Sequence, residues 1–468
     1  MAQFGVDDQS PAVAAMAGNW PMIDALLGGT AAMRAAGETF LPKWPKESDD
    51  SYKARLGSAT LFPAFLRTAT VMATKPFARP MMIDEGTIPA KVRDLFGDVD
   101  MLGTDLQPFA ADLMLQAMQY GLTGVLVDAP SVPGIRTVAD EKKAGARPYF
   151  TVYPANTILG WKATRSAAGA TLTQLRLLEE FSEPDGPWGE VTGPQVRVLT
   201  PGAWETWRKA ASSKEWVKYE EGQTSIDVIP FQFFYGVRKG FGIAAPPLLD
   251  LAFLNVEHWQ SSSDQQTILH VARVPILFAK GFKTGETITI GASSATVAED
   301  AEADLRFVEH TGAAIEAGRQ SILDLEDRMR QSGAELLVQQ PVVKTATATR
   351  SDDEGNRSIL QRIAEDFDES LANCINLMGL WLGEAINAKV ELYKDFGSAN
   401  LTEKSGDLLL RAAGAGHLSS QTTFEQLQRM DVVGANLNWE DEKLRLAQSP
   451  PKPAAPSPAL REETQGAQ

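Results

Sequence analysis

Residues 246–281 read PPLLDLAFLNVEHWQSSSDQQTILHVARVPILFAKG and combine a long helical pattern with the start of a strand. Pro246 and Pro247 are tolerated at a helix start, and the next proline is Pro275, so the stretch predicts a helix of about 25 residues, roughly 37 Å long. The first half of this helix has a broad apolar face. The second half, QSSSDQQ, is polar almost all round, which predicts that it leaves the core and contacts water or a similar helix.

Downstream of this helix the pattern changes twice. Ile276 to His310 is rich in Gly and β-branched residues and predicts a small β module. A second helix is predicted after it from five apolar positions at helical spacing. These positions are Ile315, Ile322, Leu325, Met329 and Leu336. Residues 359–385 then give the most regular helical pattern. Its apolar face carries Leu360, Ile363, Phe367, Leu371, Cys374, Met378 and Trp381.

Upstream of Pro246 the chain changes from helical to strand patterns. Residues 52–121 are mostly helical and end at Gly121 in a C-cap position, and LTGVLVDAP at 122–130 follows as a strand. Apolar residues recur at three-to-four spacing near the start of this stretch. They are Leu56, Phe62, Phe65, Leu66 and Val71. From Pro148 to Val228 four strand-like pieces alternate with turns, and IPFQFFYG at 229–236 adds another, so the pattern predicts an antiparallel β region on an α/β base.

The composition limits the classes of protein to which the chain can belong. With 468 residues, 44% of them hydrophobic, the chain can form two or three domains with real cores. Lys and Arg total 44 against 60 Asp and Glu, and the net charge of −16 is opposite to that of a tight nucleic-acid binder. No apolar run approaches the ~20 residues of a membrane span, and the N-terminal stretch lacks a secretion signal pattern. We therefore expect a soluble protein made in the cytoplasm, with no membrane partner.

Motifs for catalysis or metal binding are not found in the sequence. It lacks the phosphate-binding loop, the nucleophile elbow and the zinc-protease signature, so no catalytic residue, cofactor or metal ligand is predicted. The four histidines, His258, His270, His310 and His417, are scattered and are expected to be structural or surface residues. Cys374 is the single cysteine, and its apolar helix face predicts a buried, inert thiol. The protein is therefore predicted not to be an enzyme.

Two alternatives remain open from the residues alone. Acidic clusters at 299–304 and 351–354 are typical of solvated loops, but the second could hold a divalent ion in a metal-dependent α/β enzyme acting on nucleic acid. The other alternative is a monomeric binding scaffold. A magnesium-dependence assay addresses the first, and particle mass separates the second from any ring-forming protein.

Three stretches resemble the portal proteins of tailed bacteriophages, the head-to-tail connector family. They are GLTGVLVDAP at 121–130, RPYFTVYPANTILGWK at 147–162, and residues 246–281. The resemblance spans about 52–434 and is most specific where an N-x-x-x-W-Q-S-S-S-D helix runs into VPILFAKG. GHLSSQTTFEQLQRMDVV at 416–433 is also similar to a G-x-[IL]-S-x-x-T segment of such proteins.

The resemblance implies an α+β portal fold with an α/β wing, a helical stem, a small β-containing clip, a long wing helix and a helical crown. The implied boundaries are an N-terminal arm at 1–51, a wing at 52–245, a stem helix at 246–275, a clip at 276–312, a second stem helix at 313–338, a tunnel loop at 339–358, a long wing helix at 359–389, a C-terminal wing and crown at 390–448, and a disordered tail at 449–468.

The tunnel loop is implied to face DNA. Its residues at 343–358 read VKTATATRSDDEGNRS, and the assigned channel residues are Lys344, Thr345, Thr347, Thr349, Arg350 and Arg357. Small hydroxyl groups and few cations suit a channel along which DNA slides, because each neutralised phosphate adds affinity through counterion release. The contact with double-stranded DNA is accordingly expected to be weak and independent of sequence.

The resemblance also implies the partners and the location. Portal proteins form homo-oligomeric rings, typically of twelve copies, at one capsid vertex, where DNA is packaged and ejected. The stem residues assigned to the subunit interface are Asn255, Trp259, Gln260, Asp264 and Gln265. Implied partners are the major capsid protein, the terminase large subunit and the head–tail adaptor proteins. The implied location is the virion, with assembly in the host cytoplasm.

Overall fold

The computed structural model describes residues 5–130, 147–167, 169–210, 215–272, 276–280, 303–308, 313–337, 357–394, 396, 411–414, 418–429, 433 and 437–448. The chain divides into two units, Met1–Lys394 and Asp395–Gln468, and each is described by itself. Both helices and strands are present, in agreement with the expected α+β class. Among these residues, no helix has the length and apolar character needed to cross a membrane.

The helices of the first unit are α1 (Pro11–Ala17), α2 (Trp20–Leu27), α3 (Gly29–Ala36), α4 (Asp49–Ser58), α5 (Ala64–Thr74), α6 (Ala90–Arg93), α7 (Leu106–Tyr120), α8 (Leu249–Ala272), α9 (Ala313–Ala334) and α10 (Ile359–Trp381). Its strands are β1 (Met82–Ile83), β2 (Leu122–Asp128), β3 (Tyr149–Pro154), β4 (Ile158–Ser166), β5 (Gly169–Asp185), β6 (Gly189–Thr200), β7 (Ala203–Lys209), β8 (Trp216–Gln223), β9 (Phe231–Tyr235), β10 (Val237–Gly240), β11 (Ile243–Ala245), β12 (Ile276–Lys280), β13 (Asp304–Val308) and β14 (Val390–Glu391).

A three-stranded antiparallel sheet, in the order β3-β2-β9, lies at the centre of the first unit. The predicted strand at 122–130 is present as β2, and its residues 122–127 are all buried. Helices α7 and α10 pack against this sheet. The rings of Phe234 on β9 and Phe367 on α10 lie 5.0 Å apart. Gly124 is required within β2, because a Cβ there would lie 2.1 Å from the Phe231 ring.

A second antiparallel sheet has five strands in the order β4-β5-β6-β7-β8. One core cluster contains Leu159, Val196 and Val198, with partly buried aliphatic and tryptophan side chains around it. Strand β5 is 17 residues long, so its second half extends past β4 and pairs with β6 as a ribbon. Trp188 lies at the turn of this ribbon and is 98% exposed. The sheet therefore has a small core and a large accessible surface.

The N-terminal residues belong to the folded body. Residues 5–51, assigned to an N-terminal arm on the resemblance, contain α1–α3, and Val13, Ile23 and Met33 are fully buried. The Ser10 hydroxyl caps α1, while the Ser10 amide donates to the Leu159 carbonyl of β4 at 2.8 Å. This contact ties the first helix to the five-stranded sheet.

Several boundaries follow from local backbone chemistry. Gly121 ends α7 in the left-handed conformation with φ 84°, which confirms the predicted C-cap. The mostly helical pattern predicted from the spacing of Leu56 to Val71 is found as two helices, because residues 59–63 separate α4 from α5, and Val71 is 53% exposed. Helix α10 ends at Trp381, before the predicted end, and Gly383 follows with φ 72°.

The predicted apolar face of α10 is confirmed for six of its seven positions. Leu360, Ile363, Phe367, Leu371, Cys374 and Met378 are buried. Trp381 is half-buried, and its indole N–H donates to the Val127 carbonyl of β2 at 2.7 Å. The Ser358 hydroxyl and the Gln361 side chain form a capping box at the start of this helix.

The second unit contains α11 (Ser420–Arg429) and α12 (Trp439–Gln448). Phe424 of α11 and Trp439 of α12 bring their rings to 5.5 Å. The Gln428 side chain donates to the Leu437 carbonyl at 2.6 Å and so links the end of α11 to the segment before α12. These contacts form a small helical hairpin.

Candidate assembly surface

Helices α8 and α9 run antiparallel and lead into the paired strands β12 and β13. Near the body, the Arg328 guanidinium lies 3.3 Å from the Glu257 carboxylate. Farther along α8, the Gln265 amide donates to the Ile315 carbonyl at 2.9 Å. Residues farther along α8 thus contact residues earlier in α9, as in any antiparallel pair of helices. Strands β12 and β13 also pair in antiparallel orientation. We call these four elements the arm; residues 273–275, 281–302 and 309–312 lie outside the described part of the chain.

Asn255 fixes the base of this arm to the body. Its side chain is fully buried, donates to the Phe62 carbonyl at 2.8 Å and accepts from the Phe65 amide at 2.9 Å. Phe65 lies in the first turn of α5, where backbone amides have no partner within the helix. Asn255 therefore caps α5 from α8. Trp259, one helical turn farther on, is fully buried beside this contact.

Gln260 contacts the segment between α3 and α4, and Asp264 contacts α4. The Gln260 amide donates to the Phe40 carbonyl at 3.0 Å. Asp264 lies 3.7 Å from the Arg55 guanidinium, which is itself buried and doubly hydrogen-bonded to Glu47 at 2.8 and 2.9 Å. Partial burial raises the pKa of Asp264, and Arg55 opposes that shift. The N-terminal region thus holds the arm at two successive turns of α8.

Gly318 of α9 lies against the Gln265 side chain of α8. A Cβ at this position would lie 2.0 Å from the Gln265 side-chain oxygen.

The five residues assigned to the stem interface make contacts within the chain. Asn255, Trp259 and Gln265 are buried, Gln260 is half-buried, and the Asp264 side chain is 47% exposed. Their assignment to a subunit interface stays a prediction, and Asp264 is the member most accessible to a neighbour.

The distal part of the arm has almost no core. None of residues 315–324 on α9 is buried, and the same holds for residues 266–270 on α8. Ion pairs along α9, such as Arg319 with Glu316 at 2.6 Å, are solvent-exposed and contribute little stability. Leu323 is exposed on this surface. A two-helix arm with so little buried surface is best stabilised by contacts outside the chain.

His258 is a buried residue that the sequence analysis expected to be structural, and its environment adds a titratable group to the arm. The ring is 5% exposed, lies 5.4 Å from the Phe62 ring, and has Nε2 3.6 Å from the Glu326 carboxylate, too far for a hydrogen bond. Burial lowers the pKa of His258, and Glu326 opposes that shift. Sequence could not reveal this, because His258 and Glu326 lie on different helices.

The assigned tunnel loop is mostly outside the described residues. Lys344, Thr345, Thr347, Thr349 and Arg350 all lie there, as does the acidic cluster at 351–354 on which the metal-enzyme alternative depends. Arg357 is described, and its guanidinium lies 2.8 Å from the Glu365 carboxylate on α10. Its charge is therefore partly neutralised within the chain.

The remaining candidate residues are Cys374 and the three other histidines. Cys374 is buried as predicted, at 1% exposure, and burial raises the pKa of its thiol. His270 is exposed, while His310 and His417 are outside the described residues. Within the described part of the chain, no three His, Cys, Asp or Glu residues are grouped to hold a metal ion.

Comparisons with known proteins place the arm and α10 in one family match. Residues 247–382 match a domain of unknown function (DUF4055). No curated protein matches the chain.

Similar solved structures come from gene transfer agent (GTA) particles. A chain of the virion of the native particle is 13% identical, with a TM-score of 0.43, over 87% of this chain and 98% of that chain. A chain of the empty-particle neck with C6 symmetry has 13% identity and a TM-score of 0.40, over 86% and 99%. A chain of the native neck with C12 symmetry has 13% identity and a TM-score of 0.38, over 78% and 89%.

Proposed function

We propose that the chain is a portal protein: a structural, non-enzymatic subunit of a ring through which double-stranded DNA enters and leaves a phage-like particle. The observation that carries the proposal is the arm formed by α8, β12, β13 and α9. Its base is fixed to the body by Asn255 and Trp259, and its distal part buries almost nothing within the chain.

Ring formation explains why the base of the arm is fixed to the body while its distal part is uncovered. In a ring, each arm lies beside the arms of two neighbours, so polar surfaces that are exposed in one chain become part of a repeated interface. Interfaces of this kind tolerate polar groups and bridging water. The accessible Asp264 and the exposed ion pairs of α9 are suited to such a wet contact. We take twelve copies as the stoichiometry to test.

DNA passage requires weak binding. The net charge of −16 keeps the overall field repulsive to phosphate. In the proposed channel, Thr345, Thr347 and Thr349 line the DNA path and Lys344 and Arg350 supply few phosphate contacts. The pairing of Arg357 with Glu365 leaves still less positive charge for DNA.

The tip of the arm is the proposed docking site for other particle components. Strands β12 and β13 form a two-stranded sheet, which has two edges for pairing with additional strands. We assign this tip to binding of the terminase large subunit and the head–tail adaptor proteins, and the body to the major capsid protein at the portal vertex of the virion.

A DNA-packaging assay tests the channel assignment. Changing Thr345, Thr347 and Thr349 to Lys adds three cations per copy, and each new phosphate contact steepens the logarithmic salt dependence of binding by about one unit. Packaging is expected to slow at low salt and recover at high salt. The matched Thr→Ala triple variant is expected to package at the normal rate. An unchanged low-salt rate in the Lys variant contradicts the assignment.

A deletion tests the docking assignment separately. Removing residues 276–310 takes away the arm tip and leaves the contacts of Asn255, Gln260 and Asp264 in place. The body is expected to remain folded, while binding to the terminase and adaptor proteins is lost. Undiminished binding by the folded deletion variant contradicts the docking role and leaves the channel assignment standing.

A further inference from the structure

The five-stranded sheet ends in two accessible strands, β4 and β8. Within the described residues, β8 pairs with β7 alone over its eight residues. Strand β4 pairs with β5, and its beginning is also covered where the Ser10 amide donates to the Leu159 carbonyl. Residues 162–166 of β4 are exposed. Long edge strands are usually shortened, interrupted by proline or covered, because their backbone groups can pair with another chain. Strand β8 has no proline, and its one irregularity is a β-bulge at Tyr219.

The two edges carry opposite charge. Strand β4 has the exposed cations Lys162 and Arg165 and no acid. Strand β8 has the exposed acids Glu220 and Glu221, and its one cation, Lys218, is held by Glu221 at 3.1 Å and by Glu205 of β7 at 2.8 Å. The remaining character of the β8 edge is acidic. Charged groups at a lone edge also serve to repel other strands, but such protection does not require opposite signs on the two edges.

Apolar surface adds to the β8 edge. Val217 pairs with Arg208 of β7, and the Arg208 guanidinium lies 3.7 Å from the centre of the Tyr219 ring, so the Val217 and Tyr219 side chains lie on the same face of the sheet. Both are about half exposed, at 46% and 51%. A strand added beside β8 would cover part of this surface. The edge thus offers backbone groups, apolar side chains and carboxylates to a single partner strand.

Charge decides which strand fits. Pairing β8 with the β8 of a second copy brings two acidic edges together, and pairing β4 with β4 brings two cationic edges together. Like charges opposite one another destabilise a strand pair. Pairing β4 of one copy with β8 of the next brings Lys162 and Arg165 toward the acids. The contact is then heterologous, meaning that two different surfaces meet, and a heterologous contact repeated by rotation closes into a ring.

Strand direction agrees with such a rotation. The four pairings within the sheet are all antiparallel, so β4, β6 and β8 run in the same direction. A copy related by rotation about a ring axis therefore brings its β4 beside β8 in parallel orientation. We propose that β4 of each copy adds as a parallel strand to β8 of the neighbouring copy. This inference rests on the proposed ring and names a second subunit contact besides the arm.

Cysteine cross-linking tests the contact. Cys374 is buried, so introduced surface thiols are the reactive ones. Thr164→Cys on β4 and Val217→Cys on β8 leave the charged residues unchanged. With a short bifunctional maleimide, the assembled double variant is expected to give a ladder of covalent oligomers on a denaturing gel. Each single variant is expected to run as a single chain on the denaturing gel. A ring assembled from a mixture of the two single variants is expected to give cross-linked dimers and nothing larger.

Charge exchange supplies a second readout. Lys162→Glu with Arg165→Glu is expected to abolish the ladder in the double-cysteine background, and adding Glu220→Lys with Glu221→Lys is expected to restore it. Rings in electron micrographs without cross-links overturn the strand pairing and leave the portal proposal intact. Strong cross-linking of either single variant overturns the heterologous contact. A particle mass equal to that of one chain overturns both proposals.

Discussion

The two larger sheets of the first unit differ in how their strands are covered. In the three-stranded sheet, β2 is buried between α7 and α10, and the rings of Phe234 and Phe367 meet at 5.0 Å. In the five-stranded sheet, β4 and β8 are accessible at their edges and Trp188 is almost fully exposed at the ribbon turn. The first sheet holds the chain's own fold together, and the second leaves surface for contacts with other molecules. The arm combines both properties, with a fixed base and an uncovered distal part.

The largest expected effect comes from the buried sheet. Phe367→Ala removes the aromatic contact with Phe234 and leaves a cavity beside β9, so we expect a loss of about 3–5 kcal/mol in the free energy of unfolding. Trp188→Ser is the matched aromatic change in the accessible sheet and is expected to alter that free energy by less than about 0.5 kcal/mol. Denaturant unfolding of both variants measures the difference. Equal losses of unfolding free energy in the two variants would contradict the difference in burial between the two sheets.

A smaller effect is expected at the base of the arm. Asn255→Ala leaves the buried Phe65 amide without its partner, at a cost of about 1–3 kcal/mol, while the Phe62 carbonyl still accepts from the Ala64 amide at 2.9 Å. Gln266→Ala, on the exposed side of the same helix, is the control and is expected to be nearly neutral. The denaturant midpoints of the two variants measure the difference in stability, provided that both variants have the same m-value. A neutral Asn255→Ala variant would mean that α8 does not cap α5.

The smallest effect concerns pH. The pKa of His258 is lower in the folded chain than in the unfolded chain, so the unfolded state binds more protons between the two values and stability rises with pH there. Lowering the pH through the ordinary histidine range is therefore expected to reduce stability. His258→Leu is expected to flatten this dependence, while His270→Leu, at an exposed position, leaves it unchanged. Denaturant midpoints across that range check the sign, and an identical slope in His258→Leu would refute the assignment.

Features set by local chemistry were predictable from the sequence. The strand at β2, the C-cap at Gly121 and the six buried positions of α10 each depend on neighbouring residues, and all are found. The helix between Pro247 and Pro275 was predictable for the same reason, because prolines bound it on both sides. Strand patterns in 276–310 are present as β12 and β13 in the described residues.

Features set by distant contacts were not predictable. Asn255 reaches Phe65 across 190 residues, and nothing in the helix pattern distinguishes a polar side chain that caps another helix from one that faces a neighbouring subunit. The same holds for Gln265, whose polarity satisfies the Ile315 carbonyl within the chain. Helices α1–α3 likewise depend on packing partners such as β4, far along the sequence. The apolar spacing around Val71 did not show the break between α4 and α5.

The mass and shape of the assembled particle test the central claim most directly. Purified full-length chain, weighed by sedimentation at several salt concentrations and imaged by electron microscopy, is expected to form closed rings with a central hole and a mass near twelve times the 50.7 kDa of one chain. A different ring number would change the stoichiometry and leave the proposal standing. Monomers alone at micromolar concentration under every salt condition would contradict the account.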